Sequence, residues 1–288
     1  MKESSTSLYR LPKNCLILMF FLLVALLIVS FIPVFPRLVY TWLNHADNSH
    51  GILVPLISLF FVWQKRGDLK AAKISSSNWG AFILSASMFL YLLGLASGTE
   101  IISRTMVVFS LIGLLLFNLG KEVVKILFFP LLFLLFMIPV PIALQSAVAF
   151  PLQLFATKIS FFFIQALSIP VYQEGNMLYF AHAQLEVAEA CSGIRSISAF
   201  TVLSVVFAYL LDKGWSRRIV LLASAIPLAM FTNIIRITGT GILAHFYGSR
   251  IADSFLHEFS GIVVFAFGFI LFLFEFSLLN RVRSRKSN

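Results

Sequence analysis

The chain has 288 residues, of which 59% are hydrophobic and 12% charged, with a mean hydropathy of +0.94. That composition excludes an ordinary soluble domain, and the two cysteines exclude a disulfide-stapled scaffold. The net charge of +10 does not point to nucleic acid, because membrane proteins concentrate Lys and Arg in cytoplasmic loops rather than on a solvated basic face.

The first apolar run, from Cys15 to Val34, follows Lys2, Arg10 and Lys13. It is too long for a signal-peptide core and has no small-residue cleavage site, so it reads as a membrane span. Successive apolar runs predict about eight spans, near 15–35, 50–64, 79–96, 103–119, 122–140, 194–211, 218–235 and 258–280. With both termini cytoplasmic, most of the 22 basic residues fall in inner loops, including Lys65, Arg66, Lys121, Arg217, Arg218 and the C-terminal cluster. The same arrangement puts all five histidines on the outer side.

One outer segment, 141–190, differs from the rest. Its first part, about 142–169, is apolar but interrupted by Gln145, Pro151, Gln153, Lys158 and Gln165, and is expected to lie in the interface or to re-enter the membrane. Its second part, Val171 to Ala190, alternates in short runs around Glu174-Gly175-Asn176 and His182-Ala183, which predicts a small extracytoplasmic β-hairpin or meander.

Cys191 follows at once, in Glu189-Ala190-Cys191-Ser192-Gly193-Ile194-Arg195, where polar sequence gives way to an apolar helix. A helix N-terminus stabilises a thiolate, Arg195 adds to that field, and the Ser192 and Gly193 amides are placed to line an oxyanion hole. Arg236 ends the next-but-one apolar run, one turn beyond Asn233, where it either faces a polar cavity or snorkels to the headgroups. His257, at the start of the last span, has the proton-shuttling chemistry a thiol nucleophile needs. The segment His45-Ala46-Asp47-Asn48-Ser49-His50 carries metal-ligand residue types, but no zinc-type His-Glu-x-x-His motif occurs, and neither a metal nor a cofactor is expected.

These motifs together resemble the exosortase/archaeosortase family of membrane transpeptidases. The resemblance rests on Ser49-His50-Gly51 leading to Val54-Pro55 and Trp63, on Cys191-Ser192-Gly193-x-Arg195, on Asn233-x-x-Arg236 and on His257-x-x-x-Gly261, in that order. It implies an all-α polytopic membrane protein, one transmembrane domain over 1–288 with an outer-face insert at 141–190 and no further soluble domain. It implies a catalytic triad of Cys191, Arg236 and His257, acting on the periplasmic face of a bacterial inner membrane. The implied substrates are exported proteins carrying a Pro-Glu-Pro-type motif, a transmembrane helix and a basic tail at the C-terminus. The acyl group would pass through a Cys thioester to a lipid or polysaccharide acceptor. Ser49 and His50 become candidates for the substrate groove. Two other readings stay open at this stage: a purely hydrolytic cysteine protease, and a transporter or lipid-binding protein that uses Arg236 and Glu275 as a polar path.

Overall fold

The computed structural model describes residues 13–187, 193–211 and 214–281; for 13–17 and 249–260 it describes the backbone alone. The chain divides after Pro139 into two compact units. Helices dominate both, and among the described residues five are long and apolar enough to cross a bilayer, or six if one bent pair counts as a single span. The protein is therefore a multi-pass helical membrane protein.

In the first unit, α1 (Lys13–Ser30) and α2 (Phe35–Asn44) meet at a 62° bend around Pro33, whose missing N–H breaks the helical ladder. A 3-10 helix, Ala46–Ile52, leads to α3 (Leu53–Gln64) and the short α4 (Arg66–Ala71). The expected second span is thus only 12 residues of α-helix preceded by a tighter coil. The span expected at 122–140 is also broken, into α7 (Lys121–Ile126), α8 (Phe128–Phe133) and a 3-10 turn, Leu134–Met137. The freed backbone finds partners: the Pro130 carbonyl accepts from Ser58 Oγ at 2.8 Å, and the Met137 carbonyl from the Trp42 indole at 2.8 Å. Phe61 packs edge-on against Phe133 in the same region.

Between these pieces, α5 (Asn78–Ala96) and α6 (Glu100–Asn118) form an antiparallel hairpin. Their backbones nearly touch. A Cβ on Gly80 would lie 2.1 Å from the Phe117 nitrogen, and one on Gly113 would lie 2.6 Å from the Leu84 nitrogen. Such small-residue contacts substitute for the hydrophobic drive that lipid does not supply between helices. Buried Arg104 pairs with Glu100, which also faces Arg37 at 3.6 Å.

The second unit is built from α9 (Ile142–Ala166), a three-stranded sheet, α10 (Ile194–Leu210), α11 (Trp215–Tyr247) and α12 (Ser249–Arg281). The sheet is an antiparallel meander of β1 (Val171–Glu174), β2 (Met177–Phe180) and β3 (Gln184–Glu186), with Glu174 paired to Met177 across a Gly175-Asn176 turn. Gly175 holds φ +59°, the left-handed conformation that such a turn demands. Leu178, Phe180 and Leu185 point from the sheet into a core shared with Ala156 and Ile164 of α9 and Met230, Ile237 and Ala244 of α11.

Residues 142–166, read from sequence as an interfacial or re-entrant helix, form one 25-residue helix with enough length and apolarity to cross a bilayer. The polar interruptions fall on two faces. Gln153, Thr157 and Ser160 recur at helical spacing on the buried face, while Lys158 and Gln165 stay exposed. Ser160 Oγ donates to the Ile234 carbonyl at 3.3 Å, and Ile164 packs on Gly241, so α9 runs in the same direction as α11.

The last three helices share an aromatic core. Phe200 and Phe207 of α10 stack among Phe265, Phe272 and Phe276 of α12, with ring centroids 4.8–6.2 Å apart. These phenylalanines pack inward, between the two helices. Replacing Gly113 by Leu is expected to force α5 and α6 apart and cost about 1–3 kcal/mol or more. Thermal unfolding of the purified protein in detergent should show a clear drop in midpoint; an unchanged midpoint would contradict the close approach.

Candidate active site

Both α11 and α12 run 33 residues, far beyond the spans expected at 218–235 and 258–280. The expected break after Arg236 does not occur, because Thr238 to Gly241 contain no proline and Gly241 is held against Ile164 and Phe180. The two helices instead turn over at Gly248, at φ +82°, and form an antiparallel hairpin. Arg236 therefore lies inside a helix rather than at its end.

The lengths locate the site along the bundle axis. Arg217 Nη1 donates to the Leu279 carbonyl at 3.3 Å, and Arg218 Nη2 to the Leu211 carbonyl at 2.6 Å, so one end of the unit is ringed by arginine. From Arg217 to Arg236 the helix rises about 28 Å at 1.5 Å per residue, close to the roughly 30 Å of a bilayer's hydrocarbon. Asn233, Arg236 and Gly193 lie at the far end of that distance, with the sheet on the same side.

One turn of α11 reaches both neighbouring helices. Asn233 is 3% exposed, and a Cβ on Gly193 would lie 3.3 Å from its Cγ and Nδ2. One turn later, an Arg236 Nη1 lies 3.8 Å from the position a Cβ on Gly261 would take. Asn233 thus packs on the residue that starts α10, and Arg236 on α12. The two polar side chains are three residues apart and share a face of α11.

Gly193 occupies the N-cap of α10 at φ +83°, ψ −2°, and its carbonyl accepts the first helical bond from the Ile197 N–H at 2.9 Å. Both the backbone conformation and the asparagine above it leave little room for a side chain. Arg195, in the first turn of α10, is exposed. Cys191 and Ser192 lie outside the described residues. His257 lies on the described backbone of α12, one turn before Gly261, and its side chain is outside them.

Ser49 and His50 lie in the first unit, within the 3-10 helix Ala46–Ile52. Ser49 Oγ donates to the Ala46 carbonyl at 2.9 Å and is exposed. Burial holds the His50 imidazole below the ordinary histidine value, against the opposite pull of hydrogen bonds to the Asp47 and Phe136 backbone. Gly51 admits the Trp42 indole, which would sit 2.3 Å from a Cβ there. Among the described residues, no three His, Cys, Asp or Glu gather as a metal site.

One further contact leads toward Cys191. Buried Gln153 of α9, read from sequence as an interruption of an apolar run, donates through Nε2 to the Val187 carbonyl, four residues before Cys191. The signal available was its spacing: Gln153, Thr157 and Ser160 repeat on one helical face.

A helical membrane bundle in which one polar turn of a long helix packs on glycines of its two neighbours is the class of molecule that these features define. Over residues 42–274 the chain matches the family of transmembrane exosortases. The match covers most of the chain, and the protein belongs to that family. Comparison with curated proteins and with solved structures returns no match.

Two expectations follow. Gly193→Ala should strain the left-handed N-cap by about 1–2 kcal/mol, measured as a lower thermal midpoint; Gly175→Ala in the sheet turn gives a comparison of the same kind. For His50, the folded state disfavours the protonated form, so the unfolded state binds more protons once the pH falls through about 6.5. Stability should then be full above that value and decline as the pH falls below it, a loss that His50→Gln should lack. A wild-type midpoint no more acid-sensitive than that of the variant would contradict the burial of a neutral imidazole.

Proposed function

We propose that this protein is a membrane-embedded cysteine peptidase and transpeptidase that processes the C-terminal sorting signals of exported proteins. The observation that carries the reading is the double reach of α11, from Asn233 to Gly193 and from Arg236 to Gly261. Two peptide units separate Cys191 from Gly193, so its Cα lies within about 7 Å of that glycine whatever the path between them. His257 lies four residues before Gly261, about 6 Å along the helix axis. Arg236 lies one turn from Asn233 on the helix that packs on both glycines. Membership of the exosortase family supports the same assignment.

The chemistry is acyl transfer. The Cys191 thiolate attacks the scissile carbonyl and forms a thioester as the amine leaves. His257 protonates that amine, then takes a proton from the incoming nucleophile. Arg236 stabilises the thiolate and the developing oxyanion, assisted by Arg195 and the Ser192 and Gly193 amides at the start of α10. The acceptor, a lipid or polysaccharide carrier on the cell surface, completes the transfer. No metal or cofactor enters any step.

The charge distribution of the second unit supports an active site on the outer face. Arg217, Arg218 and Arg281 crowd the end opposite Asn233 and Arg236, and the positive-inside rule assigns that end to the cytoplasm. The sheet and the α11–α12 hairpin then project into the periplasm of a bacterial inner membrane, where an exported substrate arrives. Sorting signals of this class consist of a Pro-Glu-Pro-type motif, a membrane helix and a basic tail. Such a helix would present its motif at the height of Arg236.

Cleavage of a reporter protein bearing such a signal tests the assignment. Cys191→Ala, His257→Ala and Arg236→Ala should each lower turnover by roughly 10³-fold or more, and a double variant should be little worse than a single one, because the groups act as a unit. Normal processing by Cys191→Ala would overturn the reading.

A further inference from the structure

We propose that Gln153 is a positioning residue for the nucleophile, holding the chain that leads into Cys191; the inference rests on the reading of Cys191 as the attacking group. Gln153 is 6% exposed in the middle of α9, where its amide must find partners or remain desolvated at a cost. Its Nε2 donates to the Val187 carbonyl. The same carbonyl accepts from Asn176 Nδ2 at 3.3 Å, which fills both of its lone pairs. The Val187 N–H donates to the Asn176 carbonyl at 2.9 Å and so extends the β2–β3 ladder by one pair. Val187 is 1% exposed, which leaves little access for water to replace either donor.

The two amides have different tasks. Asn176 belongs to the hairpin turn, and its bonds to Val187 are internal to the sheet. Gln153 is the polar tie from the end of the sheet to a helix. The apolar packing of Leu178, Phe180 and Leu185 already keeps the sheet on α9 and α11, so adhesion does not require the glutamine. The hydrogen bond adds direction: it fixes one carbonyl four residues before Cys191. Asn233 fixes the downstream side by packing on Gly193. Val187 and Gly193, which flank Cys191 in sequence, are therefore each held by a buried amide from a different helix. A displacement of about 1 Å at a reacting atom can cost on the order of 10²-fold in rate, so holding both flanks matters to a nucleophile.

The test uses the full-length protein with Gln153→Met, which keeps the length and removes the donor, and Gln153→Glu, which donates only when protonated. Three readouts apply: kcat and KM on a sorting-signal reporter, the pH profile of Cys191 alkylation by iodoacetamide followed on its own peptide, and the thermal midpoint. The Met variant should lose about 10–100-fold in kcat with KM nearly unchanged, and its Cys191 alkylation profile should shift. The Glu variant should recover activity relative to wild type as the pH falls, because protonation restores the donor. Wild-type kcat and alkylation in both variants would overturn the proposal. So would an activity loss that merely tracks the unfolded fraction, or a Glu variant whose deficit does not vary with pH. Should the Met variant fail to fold, the pH-dependent ratio for the Glu variant still decides. Cleavage that survives Cys191→Ala would remove the underlying reading as well, whereas a dead Cys191→Ala beside a normal Gln153→Met removes this inference alone.

Discussion

Keeping a guanidinium and a carboxamide inside an apolar bundle is costly unless neighbouring helices offer them somewhere to go, and the second unit is arranged around that cost. Asn233 and Arg236 occupy a single turn of α11. Glycine stands opposite each of them: Gly193 at the cap of α10 and Gly261 on α12. A larger side chain at Gly193 would displace the asparagine and require a strained backbone in one stroke.

The remainder of the unit keeps that turn in place. Below it, toward the arginine-ringed end, Phe200, Phe207, Phe265, Phe272 and Phe276 lock α10 to α12, and Ala225 and Ala229 let α11 come close. Above it, α11 and α12 continue past the spans expected from sequence and turn over at Gly248. There the small sheet rests on α9 and α11 through Leu178, Phe180 and Leu185. Side-chain packing thus holds one part of the unit and a hydrogen-bonded sheet the other.

Much of this is legible in the sequence. Hydropathy identifies a polytopic helical protein, alternation around Gly175-Asn176 marks strands, and the spacing of Asn233 and Arg236 reads as one helical face. Helix ends are harder to read, because tertiary packing rather than residue preference decides them. Arg236 reads as the end of an apolar run, yet Ile164 and Phe180 pack against Gly241 and the helix continues to Tyr247. Pro151 and the glutamines of α9 look like interruptions until the sheet supplies a carbonyl for Gln153 and α11 one for Ser160. The run expected as one span at 122–140 is broken into short pieces, where Ser58 and Trp42 satisfy carbonyls that a continuous helix would have bonded internally.

The proposed function makes one chemical claim, that the chain passes an acyl group through Cys191. The most direct measurement is mass spectrometry of the purified protein after rapid quenching with a peptide that carries the sorting motif. The account predicts a hydroxylamine-sensitive adduct on the Cys191 peptide, with the mass of the motif's N-terminal side, that is absent in Cys191→Ala. Turnover of that peptide with no adduct at Cys191 under conditions where acceptor is withheld, or an adduct on another residue, would contradict it.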